Sequence, residues 1–408
     1  MSGEVLFLAH RMPFPPDRGD KIRSSHILRH LATLGLVHVA TFAESDADLA
    51  QEPTLAGLAA SHCLIRRTKP LPLAGAEALL RSQPVSLTAF HSPRLEAYVA
   101  KVLAERPISA IYVFSGQMGQ YIPDDFAGRI ILDFVDVDSA KFEAYADAGS
   151  GPRAWIDARE GRLLKAEEQR LAQRADISLL VSDEEAALLE ARLCTACDVR
   201  TLRNGIDSTV FDPACVIPEP MLTSLPGPRL IFTGQMDYPP NIAAAERAIT
   251  RLMPAIRAAV PDASLHIVGR NPSAALKALH GTNGAHVWGE VADIRTWLAG
   301  ADLALIPLEI ARGVQNKVLE AMAMALPVVL SPGAATGIGA SDQVHFAVGE
   351  SDDALVAEVL KLLTEPAAAK SLGLKGRNHV VETLSWKAAL AALPEMLSGA
   401  GEHHRRAA

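Results

Sequence analysis

The stretch LALIPLEIARGVQNKVLEAMAMALPVVL, residues 303–330, decides the fold of the second half of this chain. Apolar runs at its two ends, residues 303–306 and 328–330, have the length of buried β-strands. The second part of the segment between them has helical periodicity, with an apolar face of Ala and Met side chains. A strand, a helix and a second strand in this order predict a parallel βαβ unit.

Three residues of this stretch carry its chemistry. In a helix that includes Gly313, Lys317 and Glu320, these residues stand at i, i+4 and i+7 and share one face. Gly313 would lie at the helix entrance, where free backbone N–H groups favour an anion. The arrangement suits a sugar nucleotide, because N–H groups and a cation bind phosphates while a carboxylate binds vicinal hydroxyls. The alternative is an ordinary Lys317–Glu320 ion pair on the surface of the helix.

Length, composition and charge limit the classes to which this protein can belong. The 408 residues are enough for two domains of about 200 residues each. Hydrophobic residues make up 49% and charged residues 21%, which is ordinary for a globular enzyme. The net charge of −8 argues against a nucleic-acid partner. Two of the four cysteines have CxxC spacing, but no second CxxC pair and no paired histidines accompany them. We therefore expect the cysteines to be reduced and without a chemical role, and the protein to be cytoplasmic.

Short apolar runs alternate with helical patterns along the whole chain, which is typical of parallel βαβ construction. A cluster of prolines at residues 212–228 separates two such series and is the best candidate for a linker. The predicted strands cover residues 5–9, 37–42, 110–114, 130–134, 177–181 and 199–202 before the linker, and 230–233, 265–268, 286–288, 303–306 and 328–330 after it. The pattern predicts two doubly wound α/β domains with ligands at the carboxyl ends of their strands.

An ordered series of short segments runs through residues 203–330. They are RNGID (203–207) with Phe211, IFTG (231–234), HIVG (266–269), WGEV (288–291) with Asp293, ADLALIP (301–307) and EAMA (320–323). Together they resemble the retaining glycosyltransferases of family 4. The segments PFPPDRGDK (13–21), DFVDVDS (133–139) and GQMDYPPN (234–241) are similar to one subgroup, the sugar transferases associated with bacterial exopolysaccharide and PEP-CTERM protein-sorting systems.

The resemblance implies a GT-B fold, with two Rossmann-like doubly wound domains facing each other across a cleft. We expect an N-terminal acceptor-binding domain at residues 1–212 and a C-terminal nucleotide-sugar-binding domain at 221–384. A C-terminal helix at about residues 385–400 would pack back on the first domain. The implied reaction moves a sugar, with retention, from a UDP- or GDP-sugar to a glycan or polyprenyl-linked acceptor in exopolysaccharide synthesis. The family needs no cofactor and no metal for it.

The resemblance also implies roles for residues of the second domain. Glu320 would hydrogen-bond the ribose hydroxyls of the donor. Lys317 would meet the diphosphate, as would the backbone around Gly313 and Val314. The turn that contains Glu290 and Val291 would frame the nucleobase through backbone groups, which leaves uracil and guanine both open.

Two departures from the family pattern concern the charge around the donor. Arg312 stands where most members have an acidic residue that contacts the donor sugar, so it could instead bind a phosphate or an acidic sugar. In the loop that begins at Gly234, Gln235 and Asn241 stand where many members have an Arg and a Lys. The positive charge for the diphosphate must then come from Arg270, Arg312 and Lys317. Arg270 follows a predicted strand, a position that faces the ligand in such folds.

In the first domain the resemblance places the loop around Gly19 near the donor phosphate and the acceptor. Arg18, Lys21 and Arg23 lie beside it, and their alternative role is that of ordinary helix-surface cations. Asp133, Asp136 and Asp138 end a predicted strand, where a carboxylate could bind the acceptor. We select Asp136 as the catalytic, cleft-facing carboxylate of this group.

Two other kinds of protein remain open. The unusual Arg312 is compatible with a sugar-nucleotide 2-epimerase, and Gln235 together with Arg312 is compatible with a non-catalytic sugar-nucleotide binder. A basic segment, residues 66–69, also borders an apolar stretch at residues 71–80. This segment could dock peripherally at the anionic inner membrane and reach a lipid-linked acceptor, or it could be a normal surface helix.

Overall fold

A computed structural model describes residues 3–309 and 314–399. The chain divides into two units. The first contains the residues before Gly205 together with the segment from Leu390 onward, and the second contains residues 205–389. No helix in the described ranges is long and apolar enough to cross a lipid bilayer.

The first unit is built on a sheet of parallel strands. They are β1 Glu4–Ala9, β2 Val37–Ala43, β3 Ser61–Arg66, β4 Ile108–Phe114, β5 Arg129–Val135, β6 Ile177–Leu180 and β7 Val199–Thr201. Their order in the sheet is β3-β2-β1-β4-β5-β6-β7. The direction of winding reverses between β1 and β4, and the crevice at the carboxyl ends of two such strands is the usual ligand position in an open α/β sheet.

Helices connect these strands. They are α1 Gly19–Leu34, α2 Asp46–Leu49, α3 Glu52–Ala56, α4 Leu71–Arg81, α5 Val85–Ala89, α6 Pro93–Glu105, α7 Asp138–Ala148, α8 Gly151–Arg174 and α9 Asp183–Arg192. In α6, Leu95, Val99 and Val102 are buried at i, i+4 and i+7, so one apolar stripe holds this helix on the sheet. The Ser182 side chain accepts a hydrogen bond from the backbone N–H of Glu185 and so caps the start of α9.

The second unit repeats this plan. Its strands are β8 Arg229–Thr233, β9 Ser264–Val268, β10 Ala285–Gly289, β11 Leu303–Ile306, β12 Val328–Leu330 and β13 Ala347–Val348. All pairs are parallel, in the order β10-β9-β8-β11-β12-β13. The winding therefore reverses between β8 and β11, which puts the expected ligand crevice at the carboxyl ends of these two strands.

The helices of the second unit surround this sheet. They are α10 Pro220–Thr223, α11 Pro239–Arg247, α12 Met253–Ala259, α13 Ala274–Ala278, α14 Ile294–Gly300, α15 Asn316–Ala323, α16 Pro332–Ala335, α17 Asp352–Thr364, α18 Pro366–His379 and α19 Trp386–Ala389. The helix α15 follows β11 and buries Val318, Leu319 and Met322 in the core of this unit. That packing fixes which side of α15 carries Lys317 and Glu320.

The last described helix, α20 Leu393–Ser398, belongs to the first unit. Leu393, Met396 and Leu397 are buried, and the Arg129 guanidinium at the start of β5 donates a hydrogen bond to the Met396 carbonyl at 2.6 Å. The chain thus leaves the first unit at Asn204 and re-enters it at Leu390.

The predicted fold class of two parallel α/β domains is confirmed, and each of the eleven predicted strands is present. The strands β3 and β13 were not predicted. β3 has the sequence SHCLIR and its residues are half-buried or exposed, so it lacks the continuous apolar run of a central parallel strand. β13 has only two residues, which is too short for a periodic pattern.

Candidate functional site

Two glycines shape the carboxyl edge of the second sheet. Gly234 follows β8 with φ +154°, and a Cβ there would lie 2.9 Å from Asn241 Nδ2 and 3.2 Å from Lys317 Cε. Gly269 follows β9 with φ +155°, and a Cβ there would lie 1.6 Å from the Gly234 carbonyl oxygen. The absence of side chains at these positions lets the two strand ends approach each other and lets the Lys317 side chain cross over Gly234.

The Lys317 ammonium is held at this edge by an amide. Its Nζ donates a hydrogen bond to Asn241 Oδ1 at 2.7 Å and lies 5.5 Å from the centre of the Phe232 ring. The Asn241 amide is itself fixed, because Nδ2 donates to the Gln235 carbonyl at 2.9 Å. Burial lowers the pKa of Lys317 to about 8, although the Glu320 charge opposes the shift. A neighbouring anion would restore the full charge of this lysine.

Glu320 lies one turn further along α15 and is half-buried. Burial raises the pKa of its carboxyl to about 7, against the opposing effect of the Lys317 charge. Among the side chains that the structure describes, none forms a hydrogen bond or an ion pair with this carboxylate. The proposed alternative of an ordinary Lys317–Glu320 surface ion pair is therefore wrong: Lys317 binds Asn241, and the acceptor oxygens of Glu320 are available to a ligand.

A second cation is held by a second amide. Arg270 follows Gly269, and its guanidinium donates a hydrogen bond to Gln235 Oε1 at 3.0 Å. The adjacent Asn271 amide donates to the Asp237 carboxylate at 3.1 Å, which ties the loop after β9 to the loop after β8. Gln235 and Asn241 thus each orient a cation that comes from another element. The two amides that stand in place of charged residues serve as supports for Arg270 and Lys317.

A pocket of about 670 Å³ opens beside these loops at the carboxyl ends of β9 and β10. Asn271, Lys277, His280, Trp288 and Glu290 are among the residues that line it. Its size and its aromatic and amide lining suit a flat heterocycle such as a nucleobase. The motifs indicated the Glu290 turn, but they gave no sign of Lys277 or His280, which stand on a segment without any recognisable motif.

Two histidine rings fix the orientation of the Trp288 ring in this pocket. Its indole N–H donates a hydrogen bond to His266 Nδ1 at 3.0 Å, and the His286 ring stacks on Trp288 with centroids 5.7 Å apart. Burial lowers the pKa of His266 to about 3, so this imidazole is neutral and can accept the bond. The aromatic wall of the pocket is therefore rigid.

The other residues that the sequence predicts to bind the donor lie in different surroundings. Glu290 is exposed, Val291 packs against the apolar core, and Val314 is partly exposed before α15. Arg312 and Gly313 lie outside the described residues. The predicted helix start at Gly313 is wrong, because the helix begins at Asn316 and the two residues before it are not helical.

The first unit corrects the predictions for the cations around Gly19. Lys21 and Arg23 are only 1% exposed and are neither ligand-facing nor surface residues. Lys21 Nζ lies 2.7 Å from Asp48 Oδ1, and Arg23 donates to both oxygens of Asp133 at 2.9 and 3.0 Å. Asp133 is fully buried by this pair, so the suggestion that it binds the acceptor is also wrong.

Gly19 and Asp136 keep accessible positions. Gly19 is exposed as the first residue of α1, and a Cβ there would meet no atom within 4 Å. Asp136 is exposed just after β5. The nearby Asp138 is half-buried, and burial, together with the Asp136 charge, raises the pKa of its carboxyl.

Sequence reasoning missed His10, which directly follows β1 at the point where the first sheet reverses its winding. His10 is 6% exposed, its ring stacks on Phe114 with centroids 5.8 Å apart, and its Nδ1 has no hydrogen-bond partner within residues 3–309 and 314–399. Ser115 after β4 and Val135 at the end of β5 have φ values of +77° and +71°. Such backbone strain in non-glycine residues concentrates at functional sites. The rule that ligands lie at strand carboxyl ends could have indicated His10.

Within residues 3–309 and 314–399, no group of three or more His, Cys, Asp or Glu side chains could hold a metal ion.

Comparison with known proteins agrees with this geometry. Residues 227–365, about a third of the chain, match a family model described as glycosyl transferases group 1. The match spans β8 to α17 and so includes Gly234, Arg270, Lys317 and Glu320. No curated protein sequence matches the chain significantly.

Solved structures resemble the chain over nearly its full length. Sucrose-phosphate synthase from Thermosynechococcus elongatus is 18% identical, with a TM-score of 0.58 and coverage of 98% of this chain and 99% of that one. HepE from Anabaena in complex with UDP and glucose is 15% identical, with a TM-score of 0.57 and coverage of 97% and 99%. WaaG, a glycosyltransferase involved in lipopolysaccharide biosynthesis, is 18% identical, with a TM-score of 0.53 and coverage of 95% and 99%.

The structural likeness establishes the fold, which is GT-B. The family match, which covers the second sheet and its carboxyl edge, establishes the class of enzyme. This chain is a glycosyltransferase.

Proposed function

We propose that this enzyme transfers a sugar from a UDP- or GDP-sugar to a glycan or polyprenyl-linked acceptor, with retention of the anomeric configuration, as a family 4 enzyme of bacterial exopolysaccharide synthesis. The observation that carries the proposal is the pair of amide-supported cations, Arg270 and Lys317, at the edge of the second sheet where α15 also carries Glu320, a carboxylate without a side-chain partner among the described residues. The cations would bind the diphosphate, and the carboxylate would accept hydrogen bonds from the ribose hydroxyls.

The same arrangement supports the chemical step. Breaking the bond between the anomeric carbon and the diphosphate places negative charge on the leaving group. Lys317 and Arg270 are already oriented by Asn241 and Gln235, so they stabilise this charge without reorganisation. HepE has been crystallised with UDP, with UDP-glucose, and with UDP and glucose. The pocket beside Trp288 would hold the nucleobase of such a donor.

The acceptor would bind at the carboxyl edge of the first sheet. Asp136 is accessible there, and the His10 ring, which stacks on Phe114, has a buried Nδ1 without a hydrogen-bond partner among the described residues. We assign Asp136 to acceptor binding, with His10 as an additional candidate. No metal or cofactor is needed in this scheme. We propose a cytoplasmic location with peripheral contact at the inner membrane, where a lipid-linked acceptor is presented.

The experiment is to incubate the enzyme with a panel of UDP- and GDP-sugars, with and without a polyprenyl-phosphate or glycan acceptor. Nucleotide diphosphate release and product mass are followed by chromatography and mass spectrometry, and the anomeric proton coupling of the product is read by NMR. Release that depends on the acceptor, with a retained anomer, is expected. Donor isomerisation without an acceptor would identify a 2-epimerase instead. Tight binding without turnover for every donor and acceptor would identify a sugar-nucleotide binder.

A further inference from the structure

The helix α4 has its large apolar side chains on the side that faces solvent. Its buried positions are the small residues Ala74 and Ala78. Its exposed side carries Leu73, Leu79 and Leu80, which are 58%, 57% and 89% accessible to solvent. A helix that only covers a core turns its large apolar side chains inward. This helix presents them to its surroundings, which marks an interaction surface.

The helix α8 extends this surface. Its Arg159 guanidinium donates a hydrogen bond to the Ala78 carbonyl at 2.8 Å, so α8 lies against the end of α4. The Glu160 carboxylate accepts from the backbone N–H of Val85 at 2.9 Å, at the start of α5. Trp155 and Ile156 stand four residues before Arg159 and Glu160 and therefore on the same sides of α8.

These two residues are also large, apolar and accessible. Trp155 is 61% and Ile156 is 50% exposed. We call Leu73, Leu79, Leu80, Trp155 and Ile156 together the leucine face. It combines aliphatic side chains with an exposed indole, which is the composition of segments that insert into the boundary between lipid headgroups and acyl chains.

The charge around the leucine face is opposite to that of the whole protein. Residues 66–83 contain four Lys and Arg residues against a single Glu, although the chain has a net charge of −8. Ion pairs with Glu77, Asp46 and Glu44 engage these four cations, which outnumber the three carboxylates by one. On α8, Arg153 and Arg162 are exposed. The surface therefore has a small surplus of positive charge, which favours an anionic partner.

We propose that the leucine face docks the enzyme on an anionic lipid surface. An anionic bilayer accepts both parts of this surface: the acyl region takes the leucines and the indole, and the headgroups take the basic rim. The inference rests on the proposed function in one respect: a lipid-linked acceptor would be located at the membrane to which the enzyme docks. A second copy of the chain fits less well, because two copies would bring their basic rims together.

The test is co-sedimentation of the full-length protein with vesicles, either of phosphatidylglycerol and phosphatidylcholine in equal parts or of phosphatidylcholine alone. The variants are Leu80→Glu and Trp155→Ala. The matched control is Ile217→Glu, which places the same charge at a position in the second unit that is 82% exposed. All three replaced side chains are accessible, so the fold is retained.

We expect the unmodified protein and Ile217→Glu to bind the anionic vesicles, with weaker binding at high salt and on phosphatidylcholine alone. Leu80→Glu lowers the partition coefficient by about tenfold or more, and Trp155→Ala lowers it several-fold, because each removes inserted apolar surface. Equal binding by Leu80→Glu and Ile217→Glu, or no binding by the unmodified protein, would overturn the proposal.

A protein that self-associates in sedimentation velocity, and loses this association in Leu80→Glu, would assign the leucine face to a second copy instead. Titration of UDP and GDP into the same variants separates this inference from the proposed function. Unchanged nucleotide affinity in Leu80→Glu together with lost vesicle binding supports docking. If the unmodified protein binds neither nucleotide, the proposed function is contradicted. The vesicle result then still tests the docking of the leucine face.

Discussion

Replacing Glu320 by Gln should stabilise the protein without ligand and weaken its donor site at the same time. Burial raises the pKa of the Glu320 carboxyl from 4.5 to about 7. Between these two values the folded protein holds more protons than the unfolded chain. Stability therefore falls as the pH rises through this interval, and the loss is complete above about pH 7.

The size of the effect follows from the shift in pKa. One pKa unit corresponds to about 1.36 kcal/mol, so a shift of this size sets a ceiling of about 3 kcal/mol at pH 8. The side chain is only half-buried and Lys317 partly compensates its charge, which reduces the effect. We expect Glu320→Gln to gain about 2 kcal/mol of unfolding free energy near pH 8 but only about 0.5 kcal/mol near pH 5.

Urea unfolding followed by tryptophan fluorescence measures this difference. Three of the four tryptophans, Trp288, Trp297 and Trp386, lie in the second unit, so the signal reports mainly on the part that contains Glu320. The control is Glu290→Gln, an exposed carboxylate of the same unit, which should change stability by less than about 0.5 kcal/mol. A gain that is equal at both pH values, or no gain near pH 8, would refute the account of a carboxyl group whose pKa is raised by burial.

Three further predictions concern the same edge of the sheet. Lys317→Met should weaken UDP or GDP binding by about tenfold to a hundredfold in calorimetric titration, since it removes a charge-assisted bond to the diphosphate; an unaltered affinity counts against this role. Nucleotide affinity should be highest between about pH 7 and pH 8, because Glu320 becomes protonated below this range and Lys317 loses its proton above it; a flat profile contradicts the assignment. Gly269→Ala should lower the unfolding free energy by about 2 kcal/mol or more, because its Cβ would lie 1.6 Å from the Gly234 carbonyl oxygen. Gly19→Ala places a Cβ in open space and should be nearly neutral. Similar thermal melts for the two variants would disprove the clash.

Local patterns in the sequence were sufficient for the fold. The strand–helix–strand order of residues 303–330 predicted β11, α15 and β12, because a buried parallel strand and an apolar helix stripe are visible within a short window. Lys21 and Arg23 show where local reading fails. Each looked like a surface cation, but their carboxylate partners lie 27 and 110 residues away along the chain, and no pattern within a helix reveals such partners.

The proposed donor site shows a different limit. By the resemblance to family 4, Gln235 and Asn241 stand where charged residues are expected, which suggests a loss of positive charge. The structure shows that each amide holds a cation from another element, Arg270 or Lys317. The residue types were readable from the sequence, but the pairing depends on the approach of β8, β9 and α15 in space. The same is true of His10, whose position at the point where the winding reverses depends on the sheet order.

The central claim is that the second unit binds a nucleotide diphosphate through Lys317 and Glu320. Isothermal titration of UDP and of GDP into the unmodified protein and into Glu320→Ala tests it most directly. We predict one binding site for at least one of the two nucleotides, and a loss of about a hundredfold in affinity in the variant, whose far-ultraviolet circular dichroism is unchanged. Equal affinity in both proteins, or no binding of either nucleotide to the unmodified protein, would contradict the account.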